Sequence, residues 1–179
     1  VGITRQLEDK TEDSPAVDIL HVFGRTYTQP HRYFHRTFEK GEWTPWLKIE
    51  ADIDSDHLVP VIFNRRLCLF WLFFTQEAAE GEPINPSSTL PLEKTKLYWK
   101  IQVAWNEFRK GAWTAKKLSK SAVMTAMTNS KSTLAVYRSG IFVRHYQENG
   151  RLFVPLMPSK EVKQGQSYFQ IESEKDKVC

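Results

Sequence analysis

"FEKGEWTPW", residues 38–46, and "FRKGAWTAK", residues 108–116, are two copies of one short pattern. They lie seventy residues apart and share Phe, Lys, Gly, Trp and Thr at the same places. Glycine gives the backbone a freedom at a tight turn that other residues lack, and the tryptophan after it can fold back over the hairpin. We therefore expect the chain to build one hairpin twice, with a structural turn motif of six residues: Gly41, Trp43, Thr44, Gly111, Trp113 and Thr114.

Short strands are predicted around these turns. In "LYWKIQVAW", residues 97–105, side chains alternate with the period of a β-strand. Residues 58–74, "LVPVIFNRRLCLFWLFF", indicate two strands joined by a turn at Asn64 and Arg65. Residues 133–157 indicate three strands, and Asn-Gly is the strongest short hairpin signal. Their two turns are expected at Ser139-Gly140 and at Asn149-Gly150.

The predicted fold is all-β, with antiparallel hairpins repeated at a period of about seventy residues, arranged as an incomplete propeller or a β-sandwich. Proline cannot donate a ladder hydrogen bond, so the strands that contain Pro60 and Pro155 should be edges or bulged. A short helix is allowed within residues 121–132. The expected layout is a polar lead-in (1–16), a β domain (17–158) with repeat units at about 20–74 and 96–158 around a loop (75–95), and a last strand near 167–171 within a polar tail (159–179).

Composition excludes several classes of protein. The chain of 179 residues has a net charge of +4, and its basic stretch at residues 94–120 has no accompanying nucleic-acid motif, so we expect no nucleic acid as partner. The longest apolar run has eight residues, far fewer than the ~20 that span a bilayer. The polar N-terminus has no apolar core of a signal peptide. We expect a soluble domain in which Cys68 is a small buried hydrophobic residue.

Metal ligands are not evident in the sequence. The stretch "DIDSDH", residues 52–57, would need Gly and Glu at the sixth and twelfth positions of an EF-hand loop, where His57 and Phe63 stand. The EF-hand interpretation therefore fails and calcium sites of other kinds stay open, and we expect no metal and no cofactor. The histidines also lack zinc-ligand spacing, and we expect them at surfaces or interfaces: His21, His31, His35, His57 and His145. As a hypothesis, His57 beside Asp56 makes an interface sensitive to pH.

The repeated turn also resembles a worn Asp-box, the structural turn of sialidase propellers. A sialidase needs three arginines that converge on a carboxylate and a tyrosine activated by a glutamate, and nothing in the sequence marks such a set. We therefore do not expect an enzyme. An exposed tryptophan flanked by arginine would favour a glycan-binding module, whereas buried Trp43 and Trp113 beside an outer apolar patch would favour a structural one.

Five segments together carry a resemblance to a known family: "HVFGRT" (21–26), "GEWTPWLKI" (41–49), "DSDHLVPV" (54–61), "NRRLCLFW" (64–71) and "YWKIQVAWNEFRKGAW" (98–113). Residues 20–115 resemble the neuraminidase-like domain of the A subunit of bacterial Tc toxins, the insecticidal toxin complexes. The joint spacing of these segments is more specific than any one of them.

The resemblance implies a role that composition does not show. Tc A subunits are pore-forming, translocating virulence proteins that are secreted or released and assemble as homopentamers. The neuraminidase-like domain belongs to their outer shell and helps to keep the prepore closed until a pH change. The implied function is a non-enzymatic shell and interface domain whose partners are other domains and protomers, with host-surface glycan or receptor as a further partner. The alternative is a glycan-binding or vestigial sialidase-like module.

Overall fold

The chain folds into β-strands. The computed structural model describes residues 2–78, 97–126, 141–158 and 167–172, and no helix is present among them. The predicted all-β fold is thereby confirmed. The strands are β1 (Gly2–Glu8), β2 (Val17–Arg25), β3 (Tyr33–Glu39), β4 (Glu42–Trp43), β5 (Leu47–Lys48), β6 (Val59–Phe63), β7 (Arg66–Ala78), β8 (Leu97–Arg109), β9 (Ala112–Trp113), β10 (Lys117–Leu118), β11 (Val123–Ala126), β12 (Ile141–Val143), β13 (Tyr146–Glu148), β14 (Arg151–Pro158) and β15 (Ser167–Glu172).

The strands form three antiparallel sheets. The first sheet has the order β1-β2-β3-β4, and β5 also pairs with β3. The second sheet has the order β10-β8-β7-β6, and β9 and β11 also pair with β8. In the third sheet β14 pairs with β12, β13 and β15. Most paired strands are neighbours along the chain, and all the described pairs are antiparallel.

Two hydrophobic clusters hold the sheets together face to face. One cluster lies between the first and second sheets and includes Phe23, Tyr33, Leu69 and Trp71. The other lies between the second and third sheets and includes Phe70, Leu72, Val103, Leu152 and Val154. Because neighbouring residues of β7 point into different clusters, both faces of the second sheet are buried. This explains why β7 is a continuous apolar run instead of an alternating one.

Two predicted turns are present as expected. Asn64 and Arg65 have φ angles of 49° and 60°, and Asn149 and Gly150 have φ angles of 50° and 73°. Positive φ at both central residues is the geometry of the two-residue turn that matches the twist of antiparallel strands. The turn expected at Ser139-Gly140 lies outside the described residues.

The first strand lies within the stretch that we expected to be a polar lead-in, residues 1–16. It pairs with β2 along its whole length, from Gly2 opposite Phe23 to Glu8 opposite Val17. The sequence signal is weak because β1 is an edge strand: its apolar side chains, Ile3 and Leu7, point outward and are 64% and 68% exposed. Backbone pairing places this strand, and burial of its side chains contributes little.

Other boundaries differ from the predictions. β7 continues to Ala78, so the expected loop at 75–95 starts later, and its remainder lies outside the described residues. The short helix allowed within 121–132 is wrong for Val123–Ala126, which pair with β8 as a strand; residues 127–132 are not described. The last strand is confirmed at Ser167–Glu172. Cys68 is fully buried as predicted, but it is disulfide-bonded and is not merely a small hydrophobic residue.

The two prolines have different settings. Pro60 lies on β6, the edge strand of the second sheet, as predicted. Pro155 lies on β14, which has strands on both sides, so an edge position is wrong for it. The neighbouring ladder is interrupted at Arg144 and His145, between β12 and β13, and the Arg144 N–H donates to the Pro155 carbonyl at 3.4 Å. The sheet therefore accommodates the missing proline N–H by a gap in the adjacent strand.

Candidate functional site

The two copies of the repeated turn have the same backbone. Lys40 and Gly41 have φ angles of 50° and 85°, and Lys110 and Gly111 have φ angles of 49° and 80°. Both pairs therefore form the two-residue turn with positive φ at each central position. No atom lies within 4 Å of where a side-chain carbon would stand on either glycine, so backbone conformation and not crowding favours glycine there.

The threonine after each turn closes the hairpin. Thr44 Oγ1 accepts the Thr37 N–H at 2.8 Å, and the Thr44 N–H donates to the Thr37 carbonyl at 2.9 Å. In the second copy, Thr114 makes the same two bonds with Glu107, at 3.0 Å and 2.9 Å. Each hydroxyl accepts a backbone N–H of the long strand, just past the point where the short partner strand ends. Gly and Thr of the pattern thus serve architecture.

The equivalence extends beyond the turn. The Ile49 N–H donates to the Tyr33 carbonyl at 2.9 Å, and seventy residues later the Ser119 N–H donates to the Val103 carbonyl at 2.8 Å. β5 pairs with β3, and β10 pairs with β8, in matching register. One backbone unit is therefore present once in the first sheet and once in the second.

The two tryptophans of the repeat differ in their surroundings. The Trp113 ring lies between the first and second sheets, with ring centroids at 5.9 Å from Phe23, 5.6 Å from His35 and 5.2 Å from Phe108. Trp43 is 46% exposed. Trp43 does cover its own hairpin, with its ring 5.0 Å from Phe38. The burial that would favour a purely structural tryptophan is absent from the first copy and partial in the second, where Trp113 is partly buried against the core.

Trp43 belongs to the outer face, which we define as the side of the first sheet that points away from the second sheet. Side chains alternate between the two sides of a strand, and Phe23 and Tyr33 point inward, so the intervening positions point outward. Strand register places these positions side by side. The outer face contains Ile3, Leu7, Leu20, Val22, Phe34, Arg36, Phe38 and Trp43, together with Trp46.

An arginine lies between two tryptophans on the outer face. The guanidinium carbon of Arg36 is 3.8 Å from the centroid of the Trp43 ring and 4.9 Å from that of Trp46. Trp46 is 47% exposed and lies over Gly24, where a side-chain carbon would approach its ring to 3.3 Å. The Arg36 Nε atom is buried and has no hydrogen-bond partner among the described residues. Such stacking fixes a cation without neutralising it.

Beside this cluster the outer face contains a shallow groove of about 520 Å³. Leu20 and Phe38 form its apolar floor, and Arg5, Asp18 and Glu39 contribute charged groups. Arg5 and Asp18 bind each other through two hydrogen bonds of 2.7 Å. The outer face therefore combines apolar area with paired charges at one end and the stacked Arg36 at the other.

Two histidines are buried between the first and second sheets, contrary to the expectation of a surface or interface position. His21 and His35 are 5% and 1% exposed, and His21 Nδ1 lies 3.1 Å from His35 Nε2. The other ring nitrogen of each is buried without a hydrogen-bond partner among the described residues. Burial lowers the pKa of His21 to about 4. Burial, and then the charge of His21, lowers the pKa of His35 to about 4. Alternation with Phe23 and Tyr33 on the same strands was the sequence signal for this burial.

The hypothesised pair Asp56 and His57 lies in the connection before β6. An Asp56 carboxylate oxygen accepts a hydrogen bond of 2.5 Å from Arg25 and lies 3.6 Å from His31 Nε2. The His57 N–H donates to Ser55 Oγ at 3.4 Å. The structure thus brings Arg25 and His31 to the acidic turn, and the pH-sensitive interface at His57 remains a hypothesis.

Glu107 is a buried charge that the sequence reading did not single out. It is fully buried, and its carboxylate contacts Lys117 at 3.0 Å, Arg66 at 3.9 Å and the Arg109 side chain. Burial alone raises the pKa of this carboxyl, but the hydrogen bonds and charges of Lys117 and Arg109 together outweigh burial, so the pKa lies below its usual value. The Glu107 carboxylate thus stabilises the base of the second turn through charge-assisted bonds.

Three arginines of the described residues are engaged in separate places. Arg25 pairs with Asp56, Arg65 Nε donates to Glu8 at 2.5 Å, and Arg36 stacks on tryptophan. Within the described ranges no three His, Cys, Asp or Glu side chains are grouped for a metal ion. In that same part of the chain, no helix is long and apolar enough to span a membrane.

Comparison with known proteins gives one positive finding. Residues 4–160 match the family model described as the neuraminidase-like domain. This match covers the first and second sheets and most of the third. No curated protein matches the chain.

Proposed function

The chain belongs to the neuraminidase-like domain family, the domain found in Tc toxin A subunits, and from this premise we propose that it is a non-enzymatic shell and interface domain of a pore-forming, translocating toxin subunit. Its partners are neighbouring domains and protomers of a homopentamer. The subunit that carries it is secreted or released and acts at membranes, whereas this domain serves packing and closure.

The observation that carries the proposal is the outer face. Ile3 and Leu7 are 64% and 68% exposed, and Trp43 and Trp46 are about half exposed on the same side of the first sheet. A soluble domain rarely leaves so many large apolar side chains together on one face unless the face meets a partner. Burying them against another part of the toxin would contribute roughly 25 cal/mol for each Å² removed from water.

A non-catalytic role is supported by how the repeated turn uses its residues. The glycines supply positive φ and the threonines close backbone hydrogen bonds. These roles account for the pattern without a reaction. We expect the purified chain to release no product from a fluorogenic sialoside, and measurable turnover that is lost with Arg36→Ala would refute this part of the proposal.

Opening triggered by pH is the second part of the proposal. The Asp56 carboxylate, with Arg25 and His31 beside it and His57 next in sequence, provides a titratable contact at the surface. The buried pair of His21 and His35 provides a second, internal one. If His57→Gln leaves the pH of opening of the complete toxin unchanged, His57 has no such role.

A glycan-binding module is the second candidate function. The observation in its favour is an exposed tryptophan flanked by arginine, which Trp43, Trp46 and Arg36 provide. Sugar rings stack on aromatic faces, and a guanidinium binds a carboxylate well. A glycan array on the chain at neutral and acidic pH, with sialosides included, tests this candidate; a blank array at both values rejects it.

The shell role is tested on the complete toxin subunit with Ile3→Asp/Leu7→Asp, a double change on the exposed side of β1. We expect the variant to fold but to lose assembly, measured by sedimentation, and with it release of dye from liposomes. Met124→Asp on β11, at a residue that is 49% exposed, is the matched control and should assemble normally. Normal assembly of the double variant would contradict the shell role.

A further inference from the structure

The repeated turn relates one face of the second sheet to the outer face of the first. Phe108 and Trp113 lie on the side of the second sheet that packs against the first sheet. Phe38 and Trp43, at the equivalent positions, lie on the side of the first sheet that points away. In both copies the Phe-Trp pair therefore points in the same direction through the stack of sheets. The pair in the second sheet is covered by the first sheet, whereas the pair in the first sheet is not covered by a described sheet.

Strand register extends this relation to the rest of the two faces. In the second sheet Leu69 pairs with Asn106 and Trp71 pairs with Ala104. In the first sheet Val22 pairs with Arg36 and Gly24 pairs with Phe34. Since β8 follows β3 by seventy residues, these pairs are equivalent in position.

Burial differs between the equivalent faces. Leu69, Trp71, Ala104 and Asn106 are buried by the first sheet. Val22, Gly24, Phe34 and Arg36 are all partly exposed. These positions hold apolar residues in both sheets, apart from Asn106 in the second sheet and Arg36 in the first. The outer face is thus built like a face that a further sheet covers.

Arg36 places a positive charge on the outer face. Its two aromatic contacts hold the guanidinium over the apolar face, and its buried Nε donor has no acceptor among the described residues. A buried donor costs free energy until it is paired. A carboxylate on a covering partner is the best counter-charge for this guanidinium, because a charge-assisted bond to a guanidinium is stronger than a neutral one.

We propose that the outer face is the docking surface for a further antiparallel β-sheet of the toxin, which covers Trp43 as the first sheet covers Trp113 and places a carboxylate on Arg36. The inference rests on the proposed function, since it names the partner of the shell domain. The contacting side of that sheet is aromatic and aliphatic, as is the side formed by Phe23, Tyr33 and His35 that covers Trp113.

A sugar is the less favoured occupant. It would explain the Arg36, Trp43 and Trp46 cluster but would leave Ile3, Leu7 and Val22 uncovered on the same face. A second β-sheet covers all of them at once, with face-to-face packing at the ~10 Å separation usual for stacked sheets. The extent of the apolar area therefore favours a second β-sheet over a sugar.

Hydroxyl-radical footprinting of the complete toxin subunit tests the proposal. Oxidation of Trp43 and Trp46 should be lost, falling to the level of Trp113, whereas Tyr27, which is 99% exposed, should react fully. Arg36→Glu should restore oxidation of Trp43 and leave Tyr27 unchanged. Trp43 that reacts as fast as Tyr27 in the assembled toxin would overturn the docking surface, and the shell role would then stand only if Ile3→Asp/Leu7→Asp still abolished assembly.

A photo-crosslinker at position 46 identifies what covers the face. Crosslinks to a strand segment of a different domain, in the same subunit or in a neighbouring one, support the proposal. Crosslinks to a helical segment, or to the same face of a second copy of this chain, overturn it. Protection of Trp43 in the isolated 179-residue chain by 3′-sialyllactose, without any peptide crosslink in the toxin, would assign the face to a sugar and also overturn it.

Discussion

Trp43 holds in the first sheet the position that Trp113 holds in the second, yet Trp43 is 46% exposed whereas Trp113 packs against Phe23 and His35 between the sheets. One sequence pattern and one backbone geometry thus serve two environments. The difference comes from what lies above each sheet, since the turns themselves superimpose in φ and in hydrogen bonding.

Truncating the two tryptophans should have unequal effects on the 179-residue chain. Trp113→Ala removes a partly buried ring that packs against the core and should lower the free energy of unfolding by about 3 kcal/mol. Trp43→Ala removes a half-exposed ring and should cost only about 1 kcal/mol. Urea unfolding followed by circular dichroism measures both. Equal losses would mean that Trp43 is as buried in solution as Trp113.

The threonine hydroxyls should each contribute to closing a hairpin. Thr44→Val and Thr114→Val keep the side-chain shape but leave the N–H of Thr37 or Glu107 without its side-chain acceptor. Each should lower the free energy of unfolding by about 1 kcal/mol. Thr11→Val, at an exposed position outside the motif, is the control and should change little. If the control lowers the free energy of unfolding as much as the two motif variants do, the motif hydroxyls have no special part in closing the hairpins.

Glycine should be required at the turns for its backbone alone. Gly41→Ala and Gly111→Ala place a side-chain carbon in open space at φ angles of 85° and 80°, so the strain should cost about 1–2 kcal/mol. Asparagine tolerates positive φ better than alanine does, so Gly41→Asn should recover part of the loss. Thermal melts compare the three variants. Alanine variants as stable as the parent chain would show that the turns relax to another conformation.

The buried histidine pair should make folding weaken in acid. The pKa of His21 and His35 is about 4 in the folded chain and about 6.5 in an unfolded one. Because the folded pKa is lowered, the unfolded chain binds protons first. The pair does not reduce the free energy of unfolding above pH 6.5. The free energy of unfolding decreases as the pH falls from 6.5 towards 4, and this decrease stops below pH 4.

The slope of that loss can be measured. Both histidines are protonated in the unfolded chain before either is protonated in the folded one, where two cations 3.1 Å apart would repel. About two protons should therefore be taken up on unfolding, and each corresponds to about 1.4 kcal/mol per pH unit at most. His21→Gln/His35→Gln should flatten the profile between pH 6.5 and 4, and His31→Gln should retain it. Urea midpoints across this range provide the measurement, and a wild-type slope in the double variant would exclude the pair as its source.

Local patterns in the sequence predicted much of this fold. Asn-Gly and Gly-x-Trp-Thr specify turns through φ preferences, which operate within a few residues, and the run from Leu67 to Phe74 predicted a strand because β7 is buried on both faces. Strand β1 was missed because Ile3 and Leu7 are exposed, so that its pairing with β2 left no pattern of burial to read. The helix allowed near Val123 was wrong because pairing with β8 is a long-range contact.

The candidate site was predicted less completely. The repeat identified Trp43 and Trp113, but their opposite exposures depend on the order in which the sheets stack, which no local pattern encodes. Arg36 was one of several arginines, and its stacking between Trp43 and Trp46 follows from register across β3, β4 and the residues after them. His21 and His35 become neighbours only when β2 and β3 pair, fourteen residues apart.

Electron cryomicroscopy of the complete toxin subunit tests the interface role most directly, because it shows what lies on the outer face of this domain. We predict that Ile3, Leu7, Trp43 and Trp46 are buried against another domain or a neighbouring protomer, with an acidic side chain on Arg36. An assembled toxin in which this face is open to solvent would contradict the assignment of the chain as a shell and interface domain.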